Sequence, residues 1–374
     1  MPEPQPNIVL IGPSNIGDAV LACDVLAALR RQFPHGQLTM VVGERATALF
    51  DGDPRIQRLI DADQFGSPLG RLRLARELRA LHPQVLIDLR HTLYPLLLAP
   101  WRSWRYLRQP PKDLVHMRAR HLWKLRVQAP LAAAATPDPS TPPPAAGSLG
   151  VSPARGRGVV PSERSESRDN NSEAAGLHGG LHGCPLWFSP DDRARVEQLW
   201  RRWQLAPDAQ VVVICPGARS HIKRWPAAGF AEVAERLITE ARVDILFAGE
   251  PAESALIQEV IGLMSRRAHN AAGLVTIRQL GVVMERARLI ITNDSAALHV
   301  ASAVGRPTVA IFGPTDERKY GPTASASRTI RRRLFCAPCE QALCRYSHEC
   351  MRFIAPEEVF EAAASLLRQE RVSS

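Results

Sequence analysis

LIITNDSAALHVASAVGRPTVAIFG, Leu289–Gly313, is the stretch from which the fold is read. LIIT, Leu289–Thr292, is a short apolar run of the kind that forms a strand buried on both faces. Ala296–Val304 follows with helix-forming residues, and Gly305-Arg306-Pro307 ends it. TVAIFG, Thr308–Gly313, is a second apolar strand. Strand, helix and strand in so few residues leave room only for a crossover joining parallel strands.

The same alternation runs outward. Upstream lie a helix over Pro190–Trp203, the strand VVVIC at Val211–Cys215, a helix over Phe230–Thr239 and the strand DILFAG at Asp244–Gly249. Helices near Glu253–Met264 and Arg278–Arg286 follow, and Glu357–Arg368 reads as a C-terminal amphipathic helix. At the other end, NIVLI (Asn7–Ile11) is a strand, Ala19–Phe33 a helix closed by Pro34, QLTMVVG a strand and VLIDL (Val85–Leu89) another. Each half therefore reads as an α/β, doubly wound, Rossmann-like domain. Nine of the 31 prolines fall within residues 130–185, where no aromatic residue occurs between Trp123 and Trp187. Such a stretch has little with which to build a core. The expected organisation is an N-terminal domain (1–130), a disordered linker or insertion (131–185) and a C-terminal domain (186–374). No chemistry is attached to His178 or His182 in that linker.

The chain has 374 residues, 45% hydrophobic and 22% charged, so a wholly disordered or fibrous protein is excluded. The net charge of +10 suits anionic partners without choosing among phosphate, acidic lipid and nucleic acid. No nucleic-acid recognition motif accompanies it. No apolar run reaches membrane-span length, and MPEPQPNIVLI has no basic segment of a signal peptide, so a cytoplasmic protein is expected.

Five places carry candidate chemistry. Ser14-Asn15-Ile16-Gly17-Asp18 turns from a strand into a helix, and Asp18 there reads either as a helix-start carboxylate or as a base facing a cleft. It lacks the G-x-G-x-x-G dinucleotide fingerprint. Arg219, Lys223 and Arg224 cluster with Gly217 after Val211–Cys215, as an anion site or as a basic surface loop. Asp294 or Ser295 caps the helix from Ala296, whose first amides suit a phosphate, with His299 one turn on. Phe312–Asp316 and Tyr320–Pro322 read mostly as turns. Last, Cys336-x2-Cys339-x4-Cys344-x5-Cys350 gathers four of the seven cysteines near His348. A structural metal or cluster, reduced thiols and a disulfide all fit that spacing.

Taken together, SNIGDAVLACDVLAALRRQFP, PGARSHIKRWPAAGFAEVAERL and ARLIITNDSAALHVASAVGRPTVAIFGPTDERKYGP resemble glycosyltransferase family nine, the ADP-heptose:lipopolysaccharide heptosyltransferase family. CAPCEQALCRYSHECMRFIAPEEV is similar to the Cys-rich tail of some members. The resemblance implies a GT-B type fold, two Rossmann-like domains facing across a cleft. It implies an inverting transfer of heptose from ADP-heptose to a lipopolysaccharide-core hydroxyl, with no metal or other cofactor required. Asp18 matches the catalytic base, with Ser14 and Gly17 in its supporting turn. Lys223 matches the lysine on the donor phosphates, Asp294, Ser295, Ala296 and His299 the diphosphate stretch, and Glu253 the carboxylate on the adenosine ribose. Many members carry Gly and Pro where this chain has Ala296 and Ala297, and a basic residue where it has Gly12-Pro13. The implied partners are the nucleotide sugar and the glycolipid acceptor, with no nucleic acid. Trp101–Arg108, aromatic and basic, reads either as a packed loop or as peripheral contact with the inner membrane's cytoplasmic face. Another nucleotide-sugar enzyme on this fold, or a non-catalytic nucleotide-sugar or glycan binder, are the competing readings.

Overall fold

In the computed structural model, which describes residues 5–98, 103–129 and 185–373, the elements alternate as the sequence suggests. The first half builds a four-stranded parallel sheet, in the order β3-β2-β1-β4. Its strands are β1 (Asn7–Ile11), β2 (Gln37–Val42), β3 (Arg58–Asp61) and β4 (Val85–Asp88). The second half builds a six-stranded sheet, ordered β10-β9-β8-β5-β6-β7 and also all parallel. Here β5 is Val211–Cys215, β6 Asp244–Phe247, β7 His269–Asn270, β8 Leu289–Asn293, β9 Thr308–Phe312 and β10 Ser327–Arg331.

Strands this short and apolar must be covered on both faces, and they are. Every residue of β5, β8 and β9 is buried. The helix Ile16–Gln32 buries Ala19, Val20, Leu26 and Leu29 against the first sheet's core. The helix Pro190–Arg202 starts with Pro190 after a reciprocal cap between Ser189 and Asp192, which satisfies two helix-start donors. Thr276 and Gln279 do the same for Ile277–Arg286. An ion pair, Arg278 Nε to Asp192 Oδ2 at 3.2 Å, ties those two helix starts together.

The sequence reading missed three strands: β3, β7 and β10. β10 reads Ser-Arg-Thr-Ile-Arg and β7 has only His269 and Asn270, so neither has the apolar run that marks the central strands. Both lie at the second sheet's edges, and β3 is an edge of the first. The first helix begins at Ile16, not Ala19. Phe230–Thr239 is instead a helix over Ala227–Arg236, continued by a looser turn over Leu237–Ala241 that ends at Arg242 in the left-handed region. Apart from its last residue, the 131–185 segment lies outside the described residues, as do Trp101 and Arg102.

Strand order places the ligand-binding edge. In the second sheet β5 has β6 on one side and β8 on the other, so the chain reverses direction around β5. Loops leaving the carboxyl ends of β5 and β8 part there and leave a crevice. In the first sheet the equivalent place lies between β1 and β4. The two crevices supply the loops described next.

Candidate functional site

Asn15 caps the first helix by position, which puts Asp18 in its first turn. The Asp18 carboxylate hydrogen-bonds to the Asn15 side chain, and no side chain caps the helix amides. It is also mostly buried, and burial raises its pKa above the ordinary carboxylate value. The Asn15 hydrogen bond and the Lys223 cation pull the other way, and the Asp294 carboxylate adds to the rise. Asp18 thus feels two groups from the opposite half of the chain.

Those groups come from the second sheet's crevice. Lys223, on the loop after β5, donates from Nζ to Asp294 Oδ2 at 2.7 Å. Asp294 follows β8, is 6% exposed and also accepts from Thr315 Oγ1 at 2.6 Å. Asn293, fully buried, pins both loops: its Nδ2 donates to Pro216 O at 2.7 Å and its Oδ1 accepts from Trp225 N at 3.2 Å. Trp225, also buried, donates its indole N–H to Ile354 O at 3.1 Å. This anchors the Lys-Arg-Trp-Pro loop.

Ser295 caps the helix Ala296–Ala303 by position but makes no side-chain cap bond. Its hydroxyl lies 3.3 Å from Thr292 Oγ1. The first amides of this helix therefore receive nothing from a cap side chain. His299 sits one turn on, 6% exposed, with its pKa lowered to about 4, chiefly by burial. Its ring is neutral, and Nδ1 has no partner among the described residues. The ring lies against the opposite half: a Cβ on Gly17 would stand 2.9 Å from His299 Cδ2 and 3.8 Å from Ala296 Cα. Gly17 is required by close approach, since two helix starts meet there.

Glu253 lies at the carboxyl ends of β5 and β6. A Cβ at Gly217 would collide with its carboxylate, and one at Gly249 would come within 2.7 Å of Oε2. Oε2 accepts from Glu250 N at 3.0 Å, and burial raises the Glu253 pKa. The acid is thus fixed beside the crevice. Ser14 behaves otherwise. Its hydroxyl is buried without a partner among the described residues and packs against Gly43 at the end of β2.

Several contacts that join the halves lie outside what the sequence shows. Arg219 Nη1 donates to Asn15 Oδ1 at 3.0 Å, so one asparagine touches both Asp18 and the second half. His116 Nε2 lies 3.1 Å from Gly321 O. Thr315 and Tyr320 read in the sequence as turn residues. Thr315 instead holds Asp294, and the Tyr320 phenol is pushed up by burial and then by the Asp18 carboxylate. Only their place after the strand β9 could have signalled them. His116 carries no sequence signal, because its partner is 205 residues away.

Residues 189–349 match the family described as Glycosyltransferase family 9 (heptosyltransferase). The chain is 30% identical to lipopolysaccharide heptosyltransferase 2 of Salmonella typhimurium over 175 residues, 46% of this chain and 50% of that protein. It is 24% identical to lipooligosaccharide heptosyltransferase 2 of Haemophilus influenzae over 352 residues, 87% of this chain and 88% of that one.

The chain is thus similar to glycosyltransferase family 9 over residues 189–349. The matched segment spans about half the length of the first curated relatives it matches. The structure of the Escherichia coli ADP-heptose lps heptosyltransferase II superposes with a TM-score of 0.67 at 21% identity, covering 98% of this chain and 99% of that one. The chain shares that fold, of GT-B type, with two parallel α/β sheets presenting their carboxyl edges to one cleft.

The cysteine cluster lies next to the same loops. Cys336, Cys339, Cys344, Cys350, His348 and Pro314 line a cavity of about 360 Å³. Cys339 and Glu340 donate their amides to Pro314 O, one residue before Thr315, at 3.0 and 2.8 Å. The His348 ring meets His221 edge-on, with centroids 5.7 Å apart. All four thiols are free, so the disulfide reading is not what the structure has. Among the described residues no three His, Cys, Asp or Glu side chains are placed to hold a metal ion. Burial and the other three thiols push the Cys350 thiol up to about 11, so it is protonated at neutral pH.

Proposed function

We propose that this protein is an inverting heptosyltransferase that moves heptose from ADP-heptose to a hydroxyl of a lipopolysaccharide-core or related glycolipid. The observation that carries it is the meeting of a buried carboxylate, Asp18, with the Lys223–Asp294 loops across the cleft. The names of the relatives, lipopolysaccharide and lipooligosaccharide heptosyltransferase 2, support the donor and the acceptor class.

The adenosine ribose would meet Glu253, and the diphosphate would lie between Lys223 and the open amides at Ser295 and Ala296. Asp18, on the opposite wall, faces the sugar. The acceptor oxygen attacks the anomeric carbon from the face away from ADP, and Asp18 takes the hydroxyl proton as that bond forms. The raised Asp18 pKa makes it a stronger base once ionised. The bond to the ADP oxygen breaks through an oxocarbenium-like state, inverting the centre. The charge growing on ADP is met by the Lys223 ammonium and the helix-start amides, so the reading needs no metal for that purpose. His299, neutral and buried, acts there by shaping the floor. The Cys336–Cys350 cluster has no part in these steps, and metal analysis of the purified protein tests whether it carries a structural ion.

The deciding experiment is turnover over a panel of nucleotide sugars with a heptose-ready lipopolysaccharide core. Transfer from ADP-heptose above all other donors is expected. Transfer from a different donor would select another nucleotide-sugar enzyme. Binding without any turnover would select a non-catalytic member. No helix among the described residues is long and apolar enough to cross a membrane, so contact with a glycolipid would be made from the surface.

A further inference from the structure

The first half carries an exposed face that no part of the mechanism uses. In the helix Pro68–Ala80 only Leu74, Ala75 and Leu78 are buried. Leu69 is 81% exposed and Leu72 45%. The short helix Tyr94–Leu98 buries Pro95 and Leu98 and leaves Leu96 and Leu97 outside, with Leu93 just before it at 73%. Leu107 is exposed as well, whereas its neighbour Tyr106 is buried and donates to Leu86 O at 3.0 Å. The helices share one surface, because Arg79 Nη1 reaches Leu97 O at 3.5 Å and both Arg71 and Arg90 act on the Tyr94 phenol.

The charge on this face has one sign. Residues 66–112 contain nine Lys or Arg and two acids, Glu77 and Asp88. Glu77 is paired with Arg58, and Asp88 is 2% exposed and taken up by the amides of Arg90 and Thr92. Arg71, Arg73, Arg76 and Arg79 are all exposed on the leucine-bearing helix. Leucines interleaved with arginines, with no net acid among them, suit an interface that is apolar inside and anionic at its rim. A second copy of this face would bring like charges together.

We propose that the face formed by Leu69, Leu72, Leu96 and Leu97 with Arg71, Arg73 and Arg76 docks the protein on an anionic lipid surface. The leucines enter the headgroup boundary and the guanidiniums pair with lipid phosphates. Because Arg90 and Leu93 directly follow β4, the docked face adjoins the carboxyl edge of the first sheet, where Asp18 lies. The proposal gains its purpose from the glycolipid acceptor proposed above. Vesicle binding, however, is read without turnover, so either can fail alone.

The test is co-sedimentation with vesicles of phosphatidylcholine alone and of phosphatidylcholine with 30% phosphatidylglycerol. Three paired variants are compared: Leu69→Ser/Leu72→Ser, Arg73→Glu/Arg76→Glu, and Arg195→Glu/Arg202→Glu on the distant helix Pro190–Arg202. Each cation near an anionic surface is worth roughly fivefold in partitioning, so Arg73→Glu/Arg76→Glu should lose at least about twentyfold. The serine pair should lose about tenfold or more, and the control pair less than about threefold. All three should melt with the wild type, since the altered side chains are exposed. No preference of the wild type for anionic vesicles overturns the proposal. So does an equal loss in the control pair, which would show only the pull of net charge. Vesicle binding unchanged by the serine pair overturns the leucine part of it.

Discussion

Lys223 Nζ lies 2.7 Å from Asp294 Oδ2, joining the loop after β5 to the loop after β8 across the point where the second sheet reverses. The pair is partly buried, with the lysine side chain 28% exposed and the aspartate 6%. Thr315 holds the same oxygen of Asp294. Asp294 would therefore keep a partner if Lys223 turned toward a donor phosphate, as proposed above.

Lys223→Ala is expected to weaken ADP binding about ten- to a hundredfold, from a charge-assisted contact of about 1.5–3 kcal/mol. Adenosine has no phosphate and should bind as before. Calorimetry with both ligands checks this. Equal weakening of the two would mean that Lys223 only supports its loop.

Gly17→Ala sets two effects against each other. Alanine gains about 0.5–1 kcal/mol in a helix. Its Cβ would stand 2.9 Å from the buried His299 ring, and overpacking of that kind costs about 1–3 kcal/mol. The crowding should win, lowering Tm by several degrees, and His299→Ala in the same chain should recover most of the loss. A Tm at or above that of the wild type would show that the two helix starts do not press together.

Acid should destabilise the protein well before the carboxylates titrate. Burial holds His121 down to about 3 and His299 to about 4, against 6.5 for a free imidazole. Folded values below the unfolded one give stability that is complete above pH 6.5 and drains as pH falls toward 4 and below. Thermal melts across pH 7 to 4 should therefore decline steadily. His121→Gln should flatten part of that decline, and an identical slope would remove His121 from it.

Deleting residues 135–180, on composition alone, should change Tm by no more than a degree or two and leave ADP affinity intact. A large drop would make this proline-rich stretch part of the folded body, against the three-part division proposed from the sequence.

The central strands were legible because burial on both faces forces continuous apolar runs, as in VVVIC and TVAIF. Edge strands escape that demand, which is why Ser327–Arg331 went unread. Asp294 stood out as a polar residue directly after an apolar strand, and Asp18 and Lys223 as charged residues in the turns that follow β1 and β5. That Lys223 grips Asp294, that Arg219 reaches Asn15 and that His116 meets Gly321 depends on how the halves close, and no local spacing records it. The four clustered cysteines, close in the sequence, do come together in space and line one cavity.

The role of Asp18 as the base is tested most directly by Asp18→Asn, assayed for heptose transfer and for ADP binding on the same preparation. The amide keeps the size of the side chain and its contact with Asn15 while removing the proton acceptor. Transfer should fall by at least about a hundredfold, with ADP affinity within about threefold of the wild type. Transfer within threefold of the wild type would contradict the account.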